Sequence, residues 1–220
     1  MQFDADTADL IQTDALTQLV EDIRLQGYSI QDNLLSSDLI NRLLAEIEAL
    51  DNSQMKVAGI GRKQDYLKEQ NARRDYICWI DEEHPAGCDF IRTMEVIKQA
   101  LNRQLMMGLF DYESHYARYQ KGGFYEKHLD AFKGKSNRVL STVLYLNDNW
   151  QSDDAGEFVL FDEYDNDTEI GRFLPIKGRL AVFLSEGFPH QVIPANRQRH
   201  SIAGWFRVNA SLSGNIDPTR

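Results

Sequence analysis

Apolar residues recur at helical spacing in the first half of the chain and at strand spacing in the second. Leu16, Leu19, Val20 and Ile23 mark a helix over about 14–26, and Gly27 stands where a helix C-terminus favours a left-handed residue. After the short apolar stretch 28–35, Ser36 or Ser37 can cap a second helix with the stripe Leu39, Ile40, Leu43, Leu44, Ile47 and Leu50. A third helix is predicted over about 88–108, with Ile91, Met94, Ile97, Leu101 and Leu105 on one face. All three stripes read as packing faces of support helices.

Between the second and third helices, the polar segment 57–72 carries Gly59 and Gly61 and reads as a mobile connection. Arg73-Arg74-Asp75 then leads into a short strand, 76–80. Beyond Tyr112 the pattern is mostly β, with strands predicted at 114–119, 139–147, 156–161, 171–174, 179–184, 192–193 and 201–208. Helices followed by about eight short strands indicate an α+β protein: a double-stranded β-helix, or jelly roll, behind N-terminal support helices. The expected division is 1–110 for helices, connection and first strands, 111–209 for the jelly-roll core and 210–220 for a fraying tail, all in one compact unit.

Composition narrows the function without naming it. A formal charge of −10 argues against a nucleic-acid partner, whose phosphates would call for basic residues. The chain starts without a basic, apolar leader and has no apolar run of roughly 18 residues, so neither secretion nor a membrane partner is expected, and the predicted location is cytoplasmic. Cys78 and Cys88 read as reduced structural thiols.

The chemistry gathers around His128, Asp130 and His190. His128 and Asp130 are two apart, so on an extended segment both point to one side and can reach one metal ion. His190 lies 62 residues downstream at the entrance to another strand, and a jelly roll can bring such strands together. Two imidazoles and one carboxylate leave about half of an iron's coordination sphere open, as a non-haem Fe(II) oxygenase requires. On the strand from 199, alternation puts Arg199, Ser201 and Ala203 on one face and His200, Ile202 and Phe206 on the other. An inward Arg needs an anion, and its planar fork suits a carboxylate. Tyr145 is either a further donor to that anion or a core tyrosine bonded to backbone. His84, His115 and His200 read as structural.

The run 116–130 containing His128 and Asp130, the run 138–150 containing Tyr145, Gly156-Glu157, His190 and the run 199–206 resemble the 2-oxoglutarate- and Fe(II)-dependent dioxygenases. The resemblance covers about 55–208 and is greatest to the prolyl hydroxylase branch. Residues 73–80 resemble the strand that follows the substrate lid in oxygen-sensing prolyl hydroxylases and their bacterial relatives. The family likeness implies that His128, Asp130 and His190 hold Fe(II). Arg199, with Tyr145 and Ser201 beside it, would bind the distal carboxylate of 2-oxoglutarate, and Tyr116, Tyr125 and Trp205 would line the pocket. Arg73, Asp75, Arg138 and Tyr125 would contact or orient the substrate, and 57–72 would form the lid. O₂ is the second co-substrate, ascorbate supports turnover, and no separate general acid or base is expected. The implied reaction is hydroxylation of a prolyl residue of a protein substrate with release of succinate and CO₂. Short bacterial members that look most like this chain act on elongation factor Tu, which makes that protein the implied partner.

Two positions depart from the family pattern: Arg74 stands where relatives often have Gly, and Ala155 precedes Gly156 where a second Gly is common. Alternative readings are an oxygenase acting on another residue or a small amino acid, and a catalytically silent jelly-roll binding module. Nucleic-acid dealkylation is disfavoured, because those relatives carry a second Arg six residues beyond the co-substrate Arg, where this chain has Trp205.

Overall fold

The computed structural model describes residues 10–57, 75–131 and 136–209. Arg73, Arg74, the expected lid apart from Val57, and the tail 210–220 lie outside the described residues.

Among the described residues there are three α-helices: α1 (Thr13–Gln26), α2 (Ser37–Ala49) and α3 (Pro85–Leu105). Gly27 ends α1 in the left-handed conformation at φ 77° and donates its N–H to Ile23, so the predicted stop is the real one. Ser36 is the cap of α2, its hydroxyl accepting from the Leu39 N–H. The third helix starts three residues earlier than the apolar pattern suggests, because its cap comes from another helix. Glu46 of α2 accepts from the N–H groups of Ala86 and Gly87, each at 2.9 Å, and Pro85 occupies the first turn, where a missing N–H costs nothing. The helix ends at Leu105, three residues before the predicted stop, where Met106 turns left-handed.

The strands are β1 (Tyr28–Gln31), β2 (Lys56–Val57), β3 (Asp75–Trp79), β4 (Leu109–Tyr119), β5 (Tyr125–His128), β6 (Arg138–Tyr145), β7 (Phe158–Phe161), β8 (Glu169–Phe173), β9 (Leu180–Leu184), β10 (His190–Val192) and β11 (Arg199–Val208). They form two sheets, ordered β1-β9-β6-β11-β4-β3-β2 and β5-β10-β7-β8, in which every pairing is antiparallel. This is the jelly-roll arrangement. β4 begins five residues earlier than predicted, and β5 was not marked by the apolar pattern because its residues are only partly buried.

The central strands of the larger sheet are buried on both faces. On one face Tyr112, Tyr116, Leu140, Leu144, Val182, Ile202 and Phe206 join the buried stripes of the three helices in one cluster. That cluster draws residues from both sides of position 110. Leu39, Leu43 and Ile47 of α2 are fully buried in it, each worth roughly 1.5–3 kcal/mol over an exposed side chain. Arg118 reaches from the sheet to α2 and donates to the carbonyls of Ile47 and Leu50, closing the helix C-terminus. On the other face Tyr145, Phe158, Leu160, Ala181, Phe183 and Phe188 pack between the two sheets. The helices thus hold the larger sheet rigid from behind, leaving its inner face for chemistry. No described helix is long and apolar enough to cross a membrane.

Candidate functional site

A cavity of about 340 Å³ opens between the sheets, and it contains His128, Asp130, His190, Arg199, Ser201, Tyr145, Tyr125, Arg138 and Trp205 in its walls. Strand pairing builds the cluster at one end. His190 and His128 are direct partners across β10 and β5, so two residues 62 positions apart become neighbours on one rung. Their rings lie 4.3 Å apart, and Tyr125 stacks on His128 at 3.6 Å. Asp130 follows β5 and turns its carboxylate inward. Ligand atoms of His128, Asp130 and His190 all lie within 4.8 Å of one another, a spacing that one metal ion can bridge.

The protonation pattern suits a cation. His128 Nδ1 lies 2.7 Å from the Glu126 carbonyl and His190 Nδ1 lies 3.1 Å from the Phe188 carbonyl. A carbonyl only accepts, so each Nδ1 carries a proton and each Nε2 lone pair is free for the metal. Burial pushes His190 down to about 4, leaving it neutral at physiological pH even with Asp130 pulling the other way. Burial works against the Asp130 carboxylate, but His190, His128 and the Ser141 hydroxyl outweigh it and hold the group well below the usual carboxylate range.

The other end of the cavity contains a cation with no anionic partner among the described residues. Arg199 is 1% exposed, its Nη1 donates to the Gly156 carbonyl at 3.2 Å, and its Nε has no hydrogen-bond partner. The guanidinium lies over the Tyr119 ring at 4.4 Å and near the Tyr145 ring at 5.3 Å. The Tyr145 hydroxyl is likewise buried with no partner, and burial raises its pKa to about 12 against the pull of Arg199 and Arg179. Ser201 shares a rung with Tyr145 and is also buried. Buried polar groups are nearly always satisfied, so two orphans side by side in a cavity mark a place for an acidic ligand. A dicarboxylate with a chelating keto-acid end fits this donor set at one end and the His-Asp-His cluster at the other.

Tyr116 does not reach the cavity. β4 pairs with β11 so that Tyr119, Ala117 and His115 oppose Arg199, Ser201 and Ala203, while Tyr116 opposes Ile202 on the helix-facing side. Its hydroxyl donates to Glu46 at 2.5 Å, which corrects the expected pocket role to a structural one. The same register brings in two residues that sequence reasoning missed, Tyr119 and His115, both in the cavity wall. No sequence signal marks them, because 115–119 are all buried and only the register with β11 fixes which face each takes. His84 and His200 lie off the cavity wall.

Among the expected substrate-contacting residues, Arg138 lies in the wall beside Trp205, paired with Glu113 at 3.0 Å. Asp75 is 2% exposed and shares the Tyr119 rung, so it sits at the buried end of the sheet. Trp79 is half-exposed at the rim and packs edge-on against His115 at 5.2 Å. At the Ala155-Gly156 departure both residues have positive φ, 52° and 75°, a backbone that glycine adopts more readily than alanine.

Comparison with known proteins places the chain in a family. The model of the 2OG-Fe(II) oxygenase superfamily matches residues 114–207. The Hypoxia-inducible factor prolyl hydroxylase of Caenorhabditis elegans is 27% identical over 202 residues, which is 82% of this chain but only 26% of that longer protein. Among solved structures, the prolyl hydroxylase of Trichoplax adhaerens, in complex with a hypoxia inducible factor oxygen degradation domain peptide fragment, is 25% identical. The match covers 87% of this chain and 88% of that one, with a TM-score of 0.73. A Pseudomonas putida prolyl-4-hydroxylase is 37% identical over 88% of this chain and 98% of its own, with a TM-score of 0.77. Matched over 88% of its length to that enzyme at 37% identity, this chain belongs to the 2OG-Fe(II) oxygenase superfamily and, within it, to the prolyl hydroxylases.

Proposed function

We propose that this protein hydroxylates a prolyl residue of a protein substrate, using Fe(II), 2-oxoglutarate and O₂, with ascorbate supporting repeated turnover. The observation that carries the reading is the pairing of one buried, anion-free Arg199 and an unpartnered Tyr145 hydroxyl with a His-Asp-His cluster in the same cavity. Iron with its two co-substrates supplies the oxidising power, coupling decarboxylation to succinate and CO₂ with insertion of one oxygen atom into a C–H bond.

The protein's own residues bind, orient and exclude water. His128, Asp130 and His190 hold the metal through two neutral imidazoles and one carboxylate. Arg199 and Tyr145 take the distal carboxylate of 2-oxoglutarate, with Ser201 beside them. That charge-assisted contact is strong because Arg199 and Tyr145 are both buried. The aromatic wall of Tyr125, Trp79, His115 and Trp205 keeps water from the reacting C–H, and no side chain is needed as general acid or base. Arg138 orients the substrate at the wall, with Asp75 and Arg73 assigned to the same task.

The partial exposure of Trp79 in the cavity wall favours a polypeptide over a small amino acid, which would call for a closed pocket. The first candidate partner is elongation factor Tu, on the family resemblance, in a cytoplasmic setting. Purified protein incubated with Fe(II), 2-oxoglutarate and elongation factor Tu is expected to give a +16 Da prolyl peptide and stoichiometric succinate. Succinate without a modified prolyl residue in any supplied protein would refute the prolyl assignment.

A further inference from the structure

Asp130 has two carboxylate oxygens, and one is already engaged. The Trp205 indole N–H donates to Oδ2 at 3.0 Å, while Oδ1 is the oxygen nearest His128 Nε2, at 3.4 Å. Indole nitrogen is a donor only, so Trp205 can hold this oxygen without itself competing for a metal.

Trp205 is in turn fixed from several sides. The Arg138 guanidinium stacks over its ring at 3.6 Å, and Arg138 is anchored by Glu113 at 3.0 Å. His115 packs against the same ring at 5.6 Å. Glu113, Trp205 and Ser141 are one rung across β4, β11 and β6, which places all three on the inner face. Ser141 is buried, with its hydroxyl 2.9 Å from that of Ser185. One sheet rung therefore carries both the indole that holds the carboxylate and the acid that anchors the clamp on the indole.

We propose that Trp205 is a positioning residue of the metal centre: with its ring pinned by Arg138 and Glu113, its N–H holds Oδ2 of Asp130 so that the carboxylate binds the metal through one oxygen only. The proposal rests on reading His128, Asp130 and His190 as the iron ligands. A carboxylate free to rotate could bind through both oxygens and occupy a coordination position that the co-substrates need. Outer-shell partners of this kind typically change metal affinity by 10–100-fold.

The test is anaerobic titration of the full chain with Fe(II) and with Mn(II), together with the visible spectrum of the Co(II) form. Trp205→Phe keeps the ring for Arg138 and His115 but removes the N–H. It is expected to raise the metal Kd about 10–100-fold and to alter the Co(II) spectrum, with the melting temperature of the metal-free protein little changed. Wild-type affinity and an unchanged spectrum in Trp205→Phe, with His128→Ala losing the metal, would overturn the proposal and leave the ligand reading standing. Wild-type affinity in His128→Ala would overturn both. If Trp205→Phe does not fold, Arg138→Met releases the indole without replacing it: a raised metal Kd supports the proposal and a wild-type Kd overturns it.

Discussion

The guanidinium of Arg199 and the ring of Tyr145 lie 5.3 Å apart on one buried floor, and neither the Arg199 Nε nor the Tyr145 hydroxyl has a hydrogen-bond partner there. Arg199→Met should therefore have opposite effects on binding and on stability. Loss of a buried charged contact is expected to weaken 2-oxoglutarate binding by on the order of 100-fold or more. The ligand-free variant should melt higher than wild type, because an uncompensated buried cation has been removed. Tyr145→Phe should weaken binding about 10-fold without lowering the melting temperature. Anaerobic 2-oxoglutarate titration and thermal melts check both.

Gly156 should matter through its carbonyl. Its φ is 75°, and an added Cβ would lie 2.7 Å from the Ala195 Cβ, so Gly156→Ala strains the backbone and pushes it away from Ala195. The left-handed conformation alone costs a non-glycine residue about 1–2 kcal/mol. Since the Gly156 carbonyl accepts from Arg199, the variant is expected both to lose stability and to bind 2-oxoglutarate more weakly. Urea unfolding and co-substrate titration measure the two effects separately.

Tyr116 and Glu46 should affect stability alone. Glu46 accepts from two helix N–H groups and from the Tyr116 hydroxyl, so Glu46→Ala leaves buried donors unpaired and is expected to cost about 2–4 kcal/mol. Tyr116→Phe should cost about 1 kcal/mol, with metal and 2-oxoglutarate affinities at wild-type values. A large rise in the 2-oxoglutarate Kd in Tyr116→Phe would return that residue to the pocket.

Mild acid should destabilise the metal-free protein through a buried histidine. Burial, helped by Arg118, lowers His200 from 6.5 to about 4, and its Nε2 is buried without a partner. Between those values the unfolded chain takes up a proton that the folded chain refuses, so stability is full above 6.5 and falls as pH drops toward 4. The contribution is up to about 3 kcal/mol. Denaturant unfolding in chelator at pH 7 and pH 5 should show the loss, and His200→Gln should reduce it. An unchanged slope would remove the assignment of a buried neutral imidazole.

Much of the donor set was legible in the sequence because its members are constrained by short-range geometry. His128 and Asp130 are two apart on an extended segment, and alternation from Arg199 correctly separated the inward Ser201 and Ala203 from Ile202 and Phe206. Tyr116 was misplaced for a physical reason. Residues 115–119 are buried on both faces of the sheet, so hydrophobic alternation is silent there and only the register with β11 tells one face from the other. The early start of α3 was hidden because its cap, Glu46, is 40 residues away from Ala86. Trp205's contact with Asp130 spans 75 residues and leaves no local signature at all.

The cross-strand partnership of His128 and His190 has a mechanical consequence. β5 is four residues long, lies at the edge of its sheet, and is joined to β10 through an irregular register between His190 and Val192. A metal gripping both members of that rung acts as a rivet through the seam. Amide hydrogens of β5 should exchange rapidly when the ion is stripped and slowly when it is restored, while those of the helix-backed sheet keep their pace. The part of the molecule nearest the chemistry would then be the part whose fraying is set by iron supply.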